Sequence, residues 1–454
     1  MENSQSNRRS FIKTTALGAL GTITAPMLLG SCSNSASKEE QLKDVIVPEI
    51  FLGKAPDGRP LKAGLVGCGY RGSGAGLDFL AAGNGLQLTA LGDTFQDKID
   101  EFRATLKEKG HEIADENCFV GFDSCKKVVD SGVDVVLLCN PPIFRPDDFD
   151  YVVEKGKHCF MEKPCATDPT GIRQILMAAK RATSKGLSVV TGTVLRSQRD
   201  VVETYRRVAG GAIGEIVSAH VALLIGAIWD RKRRPGWSDM EYLIRNWPNF
   251  YRTSGDHIVE QFVHDIDAMR WFMGEAIPVS AEAMGCKQRR VTGDIYDQFS
   301  VNYVFENGIR AHCTTRQIDG CDFRACINIY GTKGYTDLRR CQIFNYDGSV
   351  AWSYPRPKPE DPDQTWAVPN RFEQEQVRLV NAIRTGKPIN EAEQLAYSTL
   401  TAIMGRESAY SGKFITWNQM MASDQNLKFE KTELGDIPGF KEGEVPIPGT
   451  PPKV

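Results

Sequence analysis

Apolar and polar positions follow two textures along the chain. From residue 61 to 193, short apolar runs at 63–66, 86–91, 133–139, 158–161 and 188–193 alternate with amphipathic or charged stretches at 73–82, 97–109, 123–131, 149–155 and 170–185. Apolar runs of this length, cut by turn residues, predict buried strands, and the stretches between them predict helices. Such alternation predicts a parallel sheet covered by helices. From residue 194 the texture changes. A helix at 201–208 leads into a long strand at 216–225, and 229–251, rich in Trp, Arg, Pro and Asn, reads as a loop over a site. A helix at 256–272 is followed by strand runs at 279–285, 298–305, 308–317 and 323–331 with glycine turns between them, which predicts an antiparallel sheet with one helix inserted. Helices at 372–384 and 391–411 close the pattern, and the prolines and glycines of 433–454 predict that the last segment, 421–454, is an extended tail lying on a neighbouring subunit.

The first strand run gives the pattern its chemistry. It opens into Gly67-Cys68-Gly69-Tyr70-Arg71-Gly72, a G-x-G-x-x-G set between strand and helix. Gly67 allows the tight turn, Gly69 the approach of a pyrophosphate, and Gly72 close packing of helix on strand. The second strand ends in Asp93, placed for adenosine ribose hydroxyls. The expected cofactor is NAD. NADP stays open, because Asp93 repels a 2′-phosphate while Lys98 offsets it. Ligands of such a sheet bind off the carboxyl ends of its strands. Asn140-Pro141 and Glu162-Lys163 stand at two of those ends and, with Tyr70 and Arg71, are expected to line the nucleotide.

The helix at 256–272 supplies the second chemical signal. Glu260, His264 and Asp267 fall at i, i+4 and i+7, on one face. Histidine exchanges protons near neutral pH, which ranks His264 first as acid/base, with Glu260 one turn earlier to orient or tune it. Arg245 and Trp247 in the preceding loop suit sugar hydroxyls and sugar C–H faces, and Asp256, His257, Asp267 and Asp297 are further candidates for the substrate rim.

The glycine loop, Asn140-Pro141-Pro142, Glu162-Lys163-Pro164 and the acid-x-x-x-His-x-x-Asp helix together resemble the Gfo/Idh/MocA family, over about residues 62–417. The resemblance implies a Rossmann domain at 61–193 and an α/β domain with an open, mostly antiparallel sheet at 194–420, whose C-terminal helices can pack back on the first domain. It implies hydride transfer between a sugar secondary alcohol and the nicotinamide, with Lys163, Glu260 and His264 as the catalytic residues. Two departures stand out. The acid is usually Asp and here is Glu260, and Ile143-Phe144-Arg145 stands where the family often carries a His. A glycosidase using the same bound NAD through a transient keto sugar is one alternative. A sugar-binding lipoprotein without chemistry is another.

The N-terminus adds location. Asn7-Arg8-Arg9-Ser10-Phe11-Ile12-Lys13, an apolar segment at 14–29 and Leu29-Gly30-Ser31-Cys32 read as a twin-arginine lipoprotein signal, with lipidation at Cys32 and a tether at 32–60. The expected place is the periplasm or the outer membrane. A folded-state export route then calls for tightly held nucleotide. Composition excludes more than it selects. Of 454 residues, 55 are Lys or Arg and 57 Asp or Glu, a net charge of −2 with no basic footprint for nucleic acid. Twelve cysteines without a C-x-x-C pair argue against a metal site. The expected partners are a small carbohydrate, the membrane through the lipid, and further copies of the chain in a dimer or tetramer.

Overall fold

In the computed structural model, residues 47–449 are described; the segment expected to be a signal, with Cys32, lies outside them. The first apolar runs become a six-stranded parallel sheet: β1 (Leu61–Val66), β2 (Leu86–Asp93), β3 (Cys118–Val120), β4 (Val135–Leu138), β5 (His158–Met161) and β6 (Val189–Thr191). Their order is β3-β2-β1-β4-β5-β6. Every residue of β4 is buried, as a strand covered on both faces requires. The order reverses between β1 and β4, and the crevice beyond that point is where ligands of this topology bind. Helices α1 (Tyr70–Ala81), α2 (Gln96–Glu108), α3 (Ser124–Asp130), α4 (Arg145–Glu154) and α5 (Pro169–Ser184) make the crossovers.

The chain then passes through α6 (Arg199–Ala209) into a nine-stranded sheet: β7 (Ile216–Ile225), β8 (Ser280–Cys286), β9 (Gln298–Val304), β10 (Arg310–Gln317), β11 (Arg324–Gly331), β12 (Tyr335–Asp337), β13 (Gln342–Phe344), β14 (Val350–Ser353) and β15 (Ile415–Thr416). Most of its pairs are antiparallel, as expected. The central pair β7–β10 runs parallel from Ser218/Arg310 to Ile225/Gln317, because β10 enters beside β7 after a long excursion. The sequence pattern predicts loop and one helix for that excursion. The excursion holds α7 (Asp239–Arg245), α8 (Tyr251–Ser254), α9 (His257–Glu260) and α10 (Val263–Phe272). The single helix expected at 256–272 is therefore two. The amides of both Gln261 and Phe262 turn to the His257 carbonyl, at 2.9 and 3.1 Å, which breaks the regular ladder and carries the fully buried Phe262 into the core.

The last helices tie the two sheets together. α11 (Arg371–Thr385) puts Val377, Leu379 and Val380 into the same apolar core as Leu61, Ala63 and Leu65 of β1. α12 (Ala392–Ser411) runs against β8 and β9 on one side and α5 on the other, and α13 (Trp417–Ala422) follows β15. Residues 50–60, expected to be tether, lie on the first domain and on α11: the Ala55 amide donates to the Ala82 carbonyl at 2.7 Å and the Phe51 amide to Gln374 Oε1 of α11 at 2.8 Å. The tail was expected on a neighbouring subunit, and it runs along its own chain. The Leu427 amide reaches Asp168 Oδ2 at 2.9 Å, the Met240 amide the Gly435 carbonyl at 3.0 Å, and the Tyr296 hydroxyl the Pro446 carbonyl at 2.7 Å. Its apolar residues Phe429, Ile437 and Phe440 find intramolecular partners in Met240, Tyr242 and Phe250.

Candidate active site

A cleft of about 1010 Å³ opens between the two sheets. On one wall stand Gly67, Gly69, Tyr70, Arg71, Gly72, Asp93, Asn140 and Pro141, and on the other Trp229, Arg231, Trp247, Glu260 and Gln261. The glycine loop has the geometry its spacing asks for. Gly67 has φ +91°, and a Cβ there would meet the Asn140 amide nitrogen at 2.6 Å. A Cβ on Gly72 would overlap the Gly67 carbonyl at 1.7 Å, whereas Gly69 faces open space. Gly69 caps α1 without a side-chain bond, so the first-turn N–H groups stay available to an anion. Asp93 accepts the Cys68 amide at 2.7 Å and the Phe95 amide at 2.9 Å, one on each carboxylate oxygen, and each oxygen keeps a lone pair for a ribose hydroxyl. These residues fit a dinucleotide.

Two of the residues expected to line the nucleotide, Glu162 and Lys163, stand behind the wall. Glu162 is buried outside the cleft lining; it accepts Arg71 Nε at 2.6 Å and the Lys163 amide at 3.0 Å. Arg71 lines the cleft, but its guanidinium also faces Asp78 at 3.3 Å and Glu375 at 3.7 Å and lies over the Phe372 ring. Burial pushes the Glu375 carboxyl well up, the charge of Glu162 adds to this, and Arg71 opposes it. Asn140 donates to Asp148 at 2.6 Å, and burial lifts Asp148 to about 6.

At the far end of the cleft the Lys163–Pro164 bond is cis. Lys163 Nζ donates to the Glu260 carbonyl at 2.7 Å and to Glu260 Oε1 at 2.8 Å, with both side chains 12% exposed. Glu260 thus serves Lys163, a group on the first domain, where one unbroken helix would have set it above His264. His264 is half-buried and its Nδ1 has no partner. Burial drives its pKa well below the ordinary 6.5, and the positive charges of Lys163, Arg371, Arg339 and Arg71 lower it further. The imidazole is therefore neutral at neutral pH. Lys163 and His264 are not among the lining residues; Glu260 links Lys163 to the cleft wall. Arg339 and Arg371 were missed in the sequence, since they come from the β12–β13 hairpin and the start of α11, distant along the chain.

Five residues expected at the substrate rim are tied to other groups, and of these Arg245 alone lines the cleft, together with Trp247. Arg245 pairs through both terminal nitrogens with Asp97 at 2.9 and 3.0 Å and lies 3.8 Å over the Phe95 ring, at the Asp93 end of the cleft. Asp267 is buried against Arg196 at 2.8 and 3.0 Å and against Ser398 at 2.8 Å, fastening three segments. Asp256, at φ +79°, caps α9 and accepts the Tyr296 amide and the Tyr410 hydroxyl. His257 is fully buried, with Nδ1 against the Tyr296 carbonyl at 3.1 Å. Asp297 is fully buried and accepts the amides of Gln288, Arg289 and Arg290. Each carboxylate was legible as chemistry; Asp267 and Asp256 find partners in Arg196, Ser398, Tyr296 and Tyr410, far along the chain, and Asp297 in the amides of a nearby turn.

Comparison with known proteins gives this geometry relatives. Residues 61–190 match the profile described as oxidoreductase family, NAD-binding Rossmann fold, and residues 201–336 match the GFO/IDH/MocA C-terminal domain. A glycosyl hydrolase family 109 protein of Shewanella pealeana is 25% identical over 264 residues, 57% of this chain and 55% of that protein. Inositol 2-dehydrogenase 4 of Saccharopolyspora erythraea is 26% identical over 219 residues, 48% of this chain and 56% of that one. The matched stretch thus spans about half the length of these curated relatives. Among solved structures, an oxidoreductase domain protein from Kribbella flavida superposes with a TM-score of 0.64 at 17% identity, covering 79% of this chain and 99% of the other. The aldose-aldose oxidoreductase from Caulobacter crescentus, complexed with glycerol, gives 0.59 at 18%, covering 79% and 100%. At such identities these structures share the fold.

Proposed function

Because the chain belongs to the GFO/IDH/MocA family of oxidoreductases, we propose that it oxidises a secondary hydroxyl of a sugar or glycoside with a tightly held NAD(P). The observation that carries this is the Lys163–Glu260 ion pair joining the two domains, set electrostatically beside a neutral His264 whose Nδ1 is unpartnered. The bound nicotinamide supplies the hydride acceptor. His264, neutral and surrounded by cations, takes the hydroxyl proton. Lys163 gives two of its three N–H groups to Glu260 and keeps the third for the substrate oxygen, favouring its negative charge. Glu260 holds the ammonium in place and aimed. Denaturing purified protein before and after incubation with a panel of sugars and glycosides tests the reading: released NAD(P) is expected, with the reduced form accumulating after incubation. Protein that carries and binds no nucleotide overturns it.

A second reading has support in the relatives, several of which are named glycosyl hydrolase family 109 proteins. Oxidation of a ring hydroxyl acidifies the neighbouring C–H, the leaving group departs by elimination, water adds, and the keto group is reduced back. Free aglycone released without any carbonyl acceptor favours this reading, and net turnover with an acceptor favours the oxidoreductase. The proposal includes export as a lipoprotein anchored at Cys32 and action as a dimer or tetramer. Cys32→Ala is expected to move the protein from the membrane fraction to the soluble one, and continued membrane association of the variant rejects the anchor.

A further inference from the structure

β7 and β10 form the parallel pair of the second sheet, and a chamber of about 250 Å³ lies at the residues that follow their carboxyl ends. That is about eight waters at roughly 30 Å³ each, the size of one sugar ring with its hydroxyls. Ile228 and Asp230 line both this chamber and the main cleft, so the two spaces adjoin.

The chamber is built, and its hydrogen bonding does not close. Arg290 donates through Nη1 to Asn249 Oδ1 at 2.6 Å and through Nη2 to Gln317 Oε1. Its Nε–H has no partner, and neither has the amide nitrogen of Gln317, a side chain only 2% exposed. The nearby carboxylates do not answer these donors: Asp230 accepts the Thr292 hydroxyl at 2.7 Å, and Asp319 accepts the Ala227 amide at 2.9 Å. Asp297 Oδ1 is a third unmatched atom, an acceptor on a carboxylate close enough to act on the Arg290 charge, so the wall offers donors and an acceptor; leaving a buried polar group unpaired costs about 1–3 kcal/mol. Native proteins match such groups. The wall that presents them is fixed. Asp297 grips the amides of residues 288–290, and Gly293, at φ +83°, presses so close that a Cβ would meet the Asn249 carbonyl oxygen at 1.7 Å.

We propose that this chamber is a second sugar subsite, so that the substrate is a glycoside of at least two units, its reacting ring in the main cleft and the adjoining ring bonded through its oxygens to Gln317 and Arg290. This rests on the sugar-oxidising reading. It gives Asp297 a positioning role, holding the loop that carries Arg290.

The test is calorimetric titration of nucleotide-loaded protein with glucose and galactose and with maltose, cellobiose and lactose, reading the reduced fraction of bound nicotinamide in parallel. At least one disaccharide is expected to bind about tenfold tighter than its component monosaccharide, the worth of one or two hydrogen bonds. Gln317→Leu, close in volume and checked by thermal unfolding, is expected to erase that advantage and leave monosaccharide affinity unchanged. Val291→Trp, which fills the chamber from a rim residue 88% exposed, is expected to do the same without touching a buried bond. Equal affinity for one and two units, no disaccharide binding, or a disaccharide preference that survives both variants overturns the subsite and leaves the chamber to water. If monosaccharides still reduce the nicotinamide, only the subsite falls; if no sugar does, the sugar-oxidising reading falls with it.

Discussion

The two ends of the main cleft are made of different materials. At the Asp93 end, Phe95, Phe122 and Phe144 from the first domain meet Met240, Leu243, Ile244 and Phe250 from the excursion after β7, and Phe429, Ile437 and Phe440 from the tail. Three separate parts of the chain share one apolar cluster, with Arg245 laid across it to Asp97. Toward the other end and behind its wall, buried charge dominates and hydrogen bonds are left open: His264 Nδ1 and Glu375 Oε1 have no partner, and Arg71 Nη2 and Glu375 Oε2 meet only as an ion pair at 3.7 Å. Apolar burial is non-directional and roughly proportional to area, and it suits holding. Unmatched polar groups in low dielectric cost stability but respond strongly to charge that appears beside them, which suits chemistry. One end thus has the physics of a grip and the other that of a reaction centre, and substitutions at the two should separate nucleotide retention from turnover.

The largest expected effect is at the charged end. His264→Ala should lower turnover by about 10²–10⁴, the usual contribution of a general acid/base, with nucleotide content unchanged. Turnover and bound nucleotide are measured on the same preparation; an active variant removes His264 from the mechanism. The pH profile sharpens this. A depressed pKa keeps the imidazole unprotonated through pH 6.5, so the acidic limb of kcat should lie below that value. Lys163→Met removes a positive charge that helps hold the imidazole down, so the residual activity should show that limb at higher pH. In stability the sign is the same: an unfolded chain protonates His264 below about pH 6.5 and the folded one does not, so this residue lowers stability as pH falls through that range.

What the sequence disclosed follows from how local each feature is. The glycine loop is a short-range device. Gly67 needs positive φ and Gly72 needs contact with Gly67 itself, so the spacing carried the geometry. Lys163 was legible because it ends a strand at the ligand-binding edge. The pairings were not. Asp267 finds Arg196 and Asp97 finds Arg245 across long stretches of chain, and residue type alone does not say whether a carboxylate will meet a substrate or a guanidinium. The helical spacing that aligned Glu260 with His264 assumed an unbroken ladder, which the burial of Phe262 interrupts. Arg290 and Gln317 gave no signal, since neither lies in a motif.

A smaller effect is expected from loosening the grip through the tail. Phe429 and Phe440 are half-buried in the shared cluster, and Arg252 lies over the Phe429 ring. Replacing both with Ala should remove about 1–2 kcal/mol of packing, enough to speed nucleotide release roughly tenfold while saturated turnover stays near that of the parent. Exchange of bound nucleotide against a labelled pool measures it directly. If turnover falls and exchange does not change, the tail acts on the reaction end and the division between the ends is wrong.

The smallest and most diagnostic effect belongs to the Asp97–Arg245 pair, which joins the first domain to the excursion over it. Its carboxylate is 48% exposed, so solvent and salt screen the pair, and Asp97→Asn should speed nucleotide release only a few-fold. The bond from Arg245 holds Asp97 below the ordinary carboxylate range against an opposing effect of burial. With the folded pKa depressed, the contribution is complete above the unfolded value near 3.8 and is lost as pH falls through the folded one. Between pH 5 and 8 the parent's release rate should therefore not change through this pair, whereas added salt should raise it. Asp97→Asn should remove that salt response and leave the tail's contribution in place, so the double change with Phe429→Ala should be near additive if the two latches act separately. A salt response that persists in Asp97→Asn would mean that salt acts on other charges at this end of the cleft and that the Asp97–Arg245 pair is not the latch.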